Sequence, residues 1–375
     1  MIYADNAATT RLDESAFEVM KGYLCEEYGN ASSPYSFSRS ARKAVKEART
    51  VIASCIGALP EEIYFTSGGT ESDNWALKGM MPYHGKGIIT SRIEHKAVLN
   101  ACAAMEHTGC PVYYLEPDRK GTIRPERLKK IIKYGTKMVS VMFANNEIGT
   151  IEPMAELAEI AHAYGALFHT DAVQAVGHIP IDVKAMGIDM LSASGHKFNA
   201  PKGIGFLYIK KGIQIKSYLD GGAQESGMRA GTENVASIAA MAHALEKNCE
   251  NMGTAARRLH LMEQIFLDTL TESGVDYIRN GADIHIPGNI NISIKGADGE
   301  MLLHRLDLKG IYISTGSACD SGNTKISHVI KAIGVPAEYA KGTIRVSFGI
   351  YNTKNDASIV AMTIADILNE NLVRL

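Results

Sequence analysis

The sequence predicts an α/β protein, a mostly parallel sheet flanked by helices with a smaller α+β domain attached, and three observations carry that reading. From about Glu62 to Ile209 short apolar runs alternate with helical patterns, the signature of βαβ units. A long helical stretch then runs from Asn234 to about Leu270, after which the pattern changes to separated strands and helices. At 375 residues the chain is long enough for two domains that bury a sizeable core without disulfides or metals.

The elements follow in order. Phe37, Ala41, Ala44, Val45, Ala48, Val51, Ile52 and Cys55 recur at helical spacing, which predicts a helix from Ser36 to Cys55 that Gly57 stops. Strands are expected at Ile63-Tyr64-Phe65, Gly87 to Thr90, Val112 to Tyr114, Met138 to Met142, Ala166 to Phe168 and Met190 to Ser192. Ala97 to His107 and Met154 to Tyr164 read as helices between them. The later region predicts strands at Asn289 to Ile294 and Thr343 to Phe348, and helices near Gly299 to Asp307 and Asn355 to Leu372. The division expected is a large domain over 13–250 and a small one formed by 1–12 with 251–375. The changeover falls between Leu245 and Leu259, inside a continuous helix with no Pro/Gly/Ser linker.

Composition narrows the function. There are 39 Lys+Arg against 41 Asp+Glu, and no block of like charge gives nucleic acid or an anionic membrane a reason to bind. A small neutral or zwitterionic substrate fits better. The six cysteines are scattered without a CxxC pair or zinc-finger spacing, so they read as reduced thiols and no metal site is expected. The first residues show no basic segment followed by an apolar run, and no apolar stretch approaches the ~18 residues of a membrane span. A cytoplasmic protein is the expectation.

Three segments point to chemistry. Ser67-Gly-Gly-Thr-Glu-Ser-Asp-Asn-Trp75 follows a strand and opens a helix, where backbone N–H groups and hydroxyls can hold an anion at the positive helix end. An ordinary capped βα turn accounts for that segment as well. Asp171, in Phe168-His-Thr-Asp-Ala-Val-Gln174, ends a strand where such sheets meet their ligands, and it could hold a proton on a heteroaromatic nitrogen. Accepting loop N–H bonds is the commoner fate of such an Asp. Lys197, in Ser192-Ala-Ser-Gly-His-Lys-Phe198, lies among small residues that let a planar cofactor approach, although most lysines are solvated. In this order the three match what pyridoxal phosphate requires: an anion site, a carboxylate for the ring nitrogen and a lysine for the aldehyde.

With these residues in place, the chain resembles the cysteine desulfurases of the class V aminotransferase family, the NifS/IscS-like enzymes. The resemblance runs from Tyr3-Ala-Asp-Asn-Ala-Ala-Thr-Thr10 through Gly29-Asn-Ala-Ser-Ser33, Glu94-His-Lys-Ala-Val98, Asn145-Asn-Glu-Ile-Gly149 and Gly227-Met-Arg-Ala-Gly-Thr232 to Gly316-Ser-Ala-Cys319 and Ile344-Arg-Val-Ser347. It implies the pyridoxal-phosphate-dependent transferase fold type I, with a seven-stranded sheet, and a homodimer acting on L-cysteine. It also implies roles. Lys197 would bind the cofactor aldehyde and then shuttle protons, Asp171 would hold the ring nitrogen's proton, and His95 would stack on the ring. Asn146 and Gln174 would contact ring substituents. Gly69, Thr70, Ser194 and His196 would contact the phosphate, with Thr232 reaching in from the second subunit. Arg345, with Asn146 nearby, would bind the substrate, its guanidinium clamping the carboxylate in a fork that lysine could not reproduce.

Cys319 separates a desulfurase from a transaminase in this resemblance. Its thiolate would attack the substrate sulfur, keep it as a persulfide and release alanine. The sequence after it departs from the family's usual Leu-Glu-Pro-Ser pattern, reading Asp320-Ser-Gly-Asn-Thr-Lys-Ile-Ser-His328 at the same length. The kept length implies transfer of sulfur to a protein acceptor, such as an iron-sulfur scaffold or a sulfur carrier. Asp320 beside Cys319 disfavours the thiolate. Other readings remain: a selenocysteine lyase or aminotransferase on the same fold, or a weak homologue serving as a sulfur-relay scaffold.

Overall fold

The structure, a computed structural model, describes residues 1–80, 87–315 and 326–372. The chain opens on a short strand, β1 (Ile2–Tyr3). The apolar runs then become β2 (Ile63–Thr66), β3 (Ile88–Ser91), β4 (Val112–Leu115), β5 (Met138–Ser140), β6 (Leu167–Asp171), β7 (Met190–Ser194) and β8 (Gly205–Ile209). Among the described residues β2 to β8 build one seven-stranded sheet in the order β2-β8-β7-β6-β5-β3-β4. The ladders from β4 across to β7 are parallel, whereas β8 runs antiparallel to both its neighbours. β2 therefore points the same way as β3, β5, β6 and β7, and their carboxyl ends share one edge.

Both faces of the sheet are buried, and the two-residue period of the strands sorts side chains between them. Ile89, Val139, Phe168, Leu191 and Phe206 pack with Ile52, Ile56 and Leu157 from helices on one face. Ile88, Met138, Met190 and Leu207 pack with Trp75, Val98 and Cys102 on the other. The amphipathic stretch predicted from Ser36 begins as a 3-10 turn over Ser36–Ser38 and continues as an α-helix over Arg39–Ile56. Gly57 ends it at φ 72°, its N–H returning to Ala53 O and Ser54 O, a left-handed stop that glycine adopts without strain.

The later strands are β9 (Tyr277–Asn280), β10 (Asn289–Ile294), β11 (Ile311–Tyr312) and β12 (Thr343–Ser347). β12, β10 and β9 form an antiparallel sheet in that order. Its core joins Ile290, Ile292, Ile344 and Val346 to Leu302, Ile364 and Phe266 from helices. β1 pairs in parallel with β11, so the first residues are tied to this layer more than 300 positions downstream. One helix, Val235–Glu272, spans both cores. Its 38 residues extend ~57 Å; Ile238 and Leu245 bury into the large cluster and Met262 and Phe266 into the small one. Val329, Ile330 and Ile333 return to the large cluster, which brings the segment after residue 326 back to the main sheet. Among the described residues no helix is long and apolar enough to cross a membrane.

Candidate active site

A cavity of about 290 Å³ opens where the carboxyl ends of the strands meet the amino-terminal segment. Each element contributes by simple chain geometry. β2 leads through Gly68 into the helix Gly69–Lys78, which presents the amides of Gly69 and Thr70 at its start. The first amides of a helix have no partner within it, and its dipole makes this end positive. Gly68 has φ 147°, which a side chain would not tolerate, and a Cβ on Gly69 would stand 2.6 Å from Val173 Cγ2. Ser194, at the end of β7, sits against the same turn: a Cβ on Gly68 would lie 3.3 Å from its Oγ. Glycine here keeps a cradle open that a methyl would fill.

β6 ends on Asp171, which is 4% exposed and accepts a hydrogen bond from the Val173 N–H at 3.0 Å. Burial pushes its pKa up, while His95, the Val173 N–H and Lys197 pull against that shift. His95 caps the helix Lys96–His107, its Nδ1 accepting from the Ala97 N–H at 3.2 Å. That bond leaves the ring proton of the neutral form on Nε2. Lys197 follows β7 on a 3-10 turn, and its Nζ donates to Ala7 O at 2.7 Å and Ala8 O at 2.9 Å. Gln174 Nε2 donates to Ala7 O as well, at 2.9 Å, so the amino-terminal segment forms a wall of the cavity. His196 lies beside Thr9 Oγ1 at 3.1 Å, and burial lowers its pKa to about 4, so it is neutral at physiological pH.

Arg345, on β12, is 4% exposed. Nη1 donates to Asn146 O at 2.8 Å and Nη2 to Asp5 Oδ1 at 2.7 Å, while the buried Nε meets no hydrogen-bond partner among the described residues. A buried guanidinium held by two partners with a donor left over suits a planar carboxylate. Donor set, cradle and lysine thus fit pyridoxal phosphate with a carboxylate-bearing substrate beside it.

Of the residues expected from sequence, Gly69, Thr70, His95, Asn146, Asp171, Gln174, Ser194, His196, Lys197 and Arg345 all line this cavity. Thr232 is exposed and does not line it. Cys319 lies outside the described residues; Ser314, five positions before it, pairs with the Arg345 backbone, and Ser327 and His328, beyond it, line the cavity. Sequence reasoning missed Asp73, Glu147, Ser327, His328 and the carbonyls of Ala7 and Ala8. Only Asp73 carried a usable signal, one turn into the glycine-led helix.

Comparison with known proteins agrees with the geometry. The family model described as Aminotransferase class-V matches residues 2–360. A protein named cysteine desulfurase IscS from Dictyoglomus turgidum is 48% identical over 95% of this chain and 91% of its own length. Another of that name from Methanosarcina thermophila is 45% identical over 98% and 92%. A solved NifS-like protein superposes with a TM-score of 0.92 at 36% identity, covering 98% of this chain and 99% of its own. A structure described as SspA in complex with cysteine superposes at 0.83, with 32% identity over 94% and 100%.

Proposed function

The chain belongs to the class V aminotransferase family and is a cysteine desulfurase; on that premise we propose that this cavity binds pyridoxal phosphate and L-cysteine and that Cys319 takes the substrate's sulfur. The observation that carries the reading is the convergence of Lys197, Asp171, the Gly69–Thr70 helix start and Arg345 on one cavity.

The helix-start amides, Ser194 and His196 would hold the phosphate, and the glycine cradle would let it approach the backbone. Asp171 would meet the ring nitrogen and His95 would stack on the ring. Lys197 would hold the cofactor's aldehyde. Bound there, the cofactor supplies an electron sink for the substrate's α-carbon. Arg345 grips the substrate carboxylate, and its own fixed partners, Asn146 O and Asp5 Oδ1, set the direction of that grip. The freed Lys197 amine takes a proton from the substrate Cα and returns one when alanine forms. The Cys319 thiolate attacks the substrate sulfur: an S–S bond forms as the Cβ–S bond breaks, and the electron pair left on carbon is protonated. Sulfur leaves as a persulfide on Cys319 for a protein acceptor. A homodimer completes the site by bringing Thr232 of a second copy to the phosphate.

Mass spectrometry of the holoprotein after brief exposure to L-cysteine without reductant tests this. A gain of about 32 Da on the peptide carrying Cys319, with alanine in the same tube, is expected. Alanine with an unmodified Cys319 peptide, or a keto-acid product in place of alanine, would overturn the reading.

A further inference from the structure

Beneath the cavity, three carboxyl groups are enclosed where the fold supplies little positive charge. Asp73, one turn into the helix Gly69–Lys78, is 1% exposed, Glu94 0% and Asp171 4%. Asp73 packs toward the sheet face that carries His169 and Asp171, which are two residues apart on β6 and so point the same way. Across that face runs a buried row of hydrogen bonds. Ser140 Oγ lies 2.8 Å from His169 Nδ1, and His169 Nε2 lies 3.1 Å from Ser192 Oγ. Asp73 Oδ1 stands 3.8 Å from the same Nε2 and has no hydrogen-bond partner among the described residues, the carboxyl's one side-chain hydrogen bond there being with Ser192.

The charges facing these acids are unequally shared. His95, from the helix Lys96–His107, and Lys197, beyond β7, both act on Asp171. Asp73 faces the Ser192 hydroxyl, the carboxyls of Asp171 and Glu94, and His169. Burial drives the His169 pKa down to about 3, so it carries no charge that could hold an anion. Cys102, from the neighbouring helix, is pushed up to about 12 and stays a thiol. Arg345 is committed to Asp5. Burial and the neighbouring carboxylates raise Asp73 well above the usual range. Two like charges enclosed together do not both ionise readily, and among the described residues it is Asp171 on which the Lys197 ammonium acts.

We propose that Asp73 is a positioning residue that permanently carries a proton, a neutral carboxylic acid whose neutrality leaves Asp171 as the one carboxylate facing the cofactor's ring nitrogen. This rests on the cofactor site proposed above. It also gives the Ser140–His169–Ser192 row a purpose, since a neutral row next to a neutral acid adds no charge to compete with Asp171.

The test compares infrared spectra of the full chain, with and without pyridoxal phosphate, for wild type, Asp73→Asn and Asp73→Ser. Glu94→Gln and Glu152→Gln serve to identify the bands of two other buried acids that burial pushes up. A protonated-carboxyl stretch that persists at about pH 8 and is lost in both Asp73 variants is expected. Asparagine is isosteric with the neutral acid, so the pH midpoint of the bound cofactor's visible band in Asp73→Asn should stay within roughly 0.3 unit of wild type. Were Asp73 ionised, neither variant would lose such a stretch, and Asp73→Asn would lower that midpoint by about one unit or more by removing a negative charge near Lys197. Either result overturns the proposal. Absence of any visible band in wild type would refute the cofactor site instead, while the stretch in the cofactor-free chain would still report on Asp73.

Discussion

Glu94 tests the electrostatics of the site without substrate or cofactor. Its Oε1 accepts from Ser91 Oγ at 2.5 Å and from the Met142 N–H at 3.0 Å, and its buried Oε2 has no hydrogen-bond partner among the described residues. Burial pushes its pKa from 4.5 up to about 8, so the folded chain keeps a proton that the unfolded chain releases. Between those values the folded state binds more protons than the unfolded one. The associated stability is complete below the unfolded pKa and is lost as pH rises toward the folded one. The slope is about 1.4 kcal/mol per pH unit, or about 2.7 kcal/mol between roughly pH 5.5 and 7.5. Glu94→Gln keeps the shape and the accepting oxygen but cannot ionise, so its stability should fall less over that interval by about this amount. The assay is unfolding of the cofactor-free chain, wild type against variant, at both pH values, since bound ligand would add its own stabilisation. In melting temperature the difference is about 3 °C for a chain of this length. Parallel pH profiles for the two proteins would refute the assignment of a neutral Glu94.

Three further outcomes are expected. Lys197→Ala should abolish the visible band of bound pyridoxal phosphate, and an unchanged band would remove Lys197 from its role. Arg345→Lys keeps a charge but cannot serve Asn146 O, Asp5 and a substrate carboxylate together. It should raise the KM for cysteine on the order of 10- to 100-fold while cofactor affinity holds, the worth of one or two charge-assisted hydrogen bonds; equal loss of both would indicate misfolding. Gly69→Ala places a methyl 2.6 Å from Val173 Cγ2 and should weaken cofactor binding by roughly tenfold or more, the effect of displacing a close contact. Val173→Ala in the same chain should restore most of it, and failure of that rescue would mean the glycine serves something other than close approach.

How much of this was legible in sequence depends on the range of the interactions involved. The strands of the main sheet and the helix ended by Gly57 are written in local apolar periodicity, and the structure moves their bounds by only a few residues. Lys197 and Asp171 could be placed because strand ends define the ligand edge of a parallel sheet before any tertiary contact is known. The helix Glu14–Cys25 went unread because it has little apolar stripe to detect: Ala16 is its buried residue, while Phe17 and Leu24 are exposed. β1 and β11, two residues each, had too little pattern to register and exist through a pairing more than 300 positions apart.

The site's unread half is unread for a related reason. Ala7 and Ala8 act through backbone carbonyls, which side-chain identity does not advertise. Asp73 and Glu94 are acidic residues in segments that would be solvated if exposed, and only their enclosure beside Asp171 changes their chemistry. Motif reading therefore finds the groups that meet the cofactor and passes over those that set the charge around them. Asp171 can remain ionised at the base of the cavity because Lys197 stands over it while Asp73 and Glu94 hold their protons below. A second ionised acid beside it would compete for the Lys197 ammonium, and would weaken the hold on the ring nitrogen on which the activation of cysteine depends.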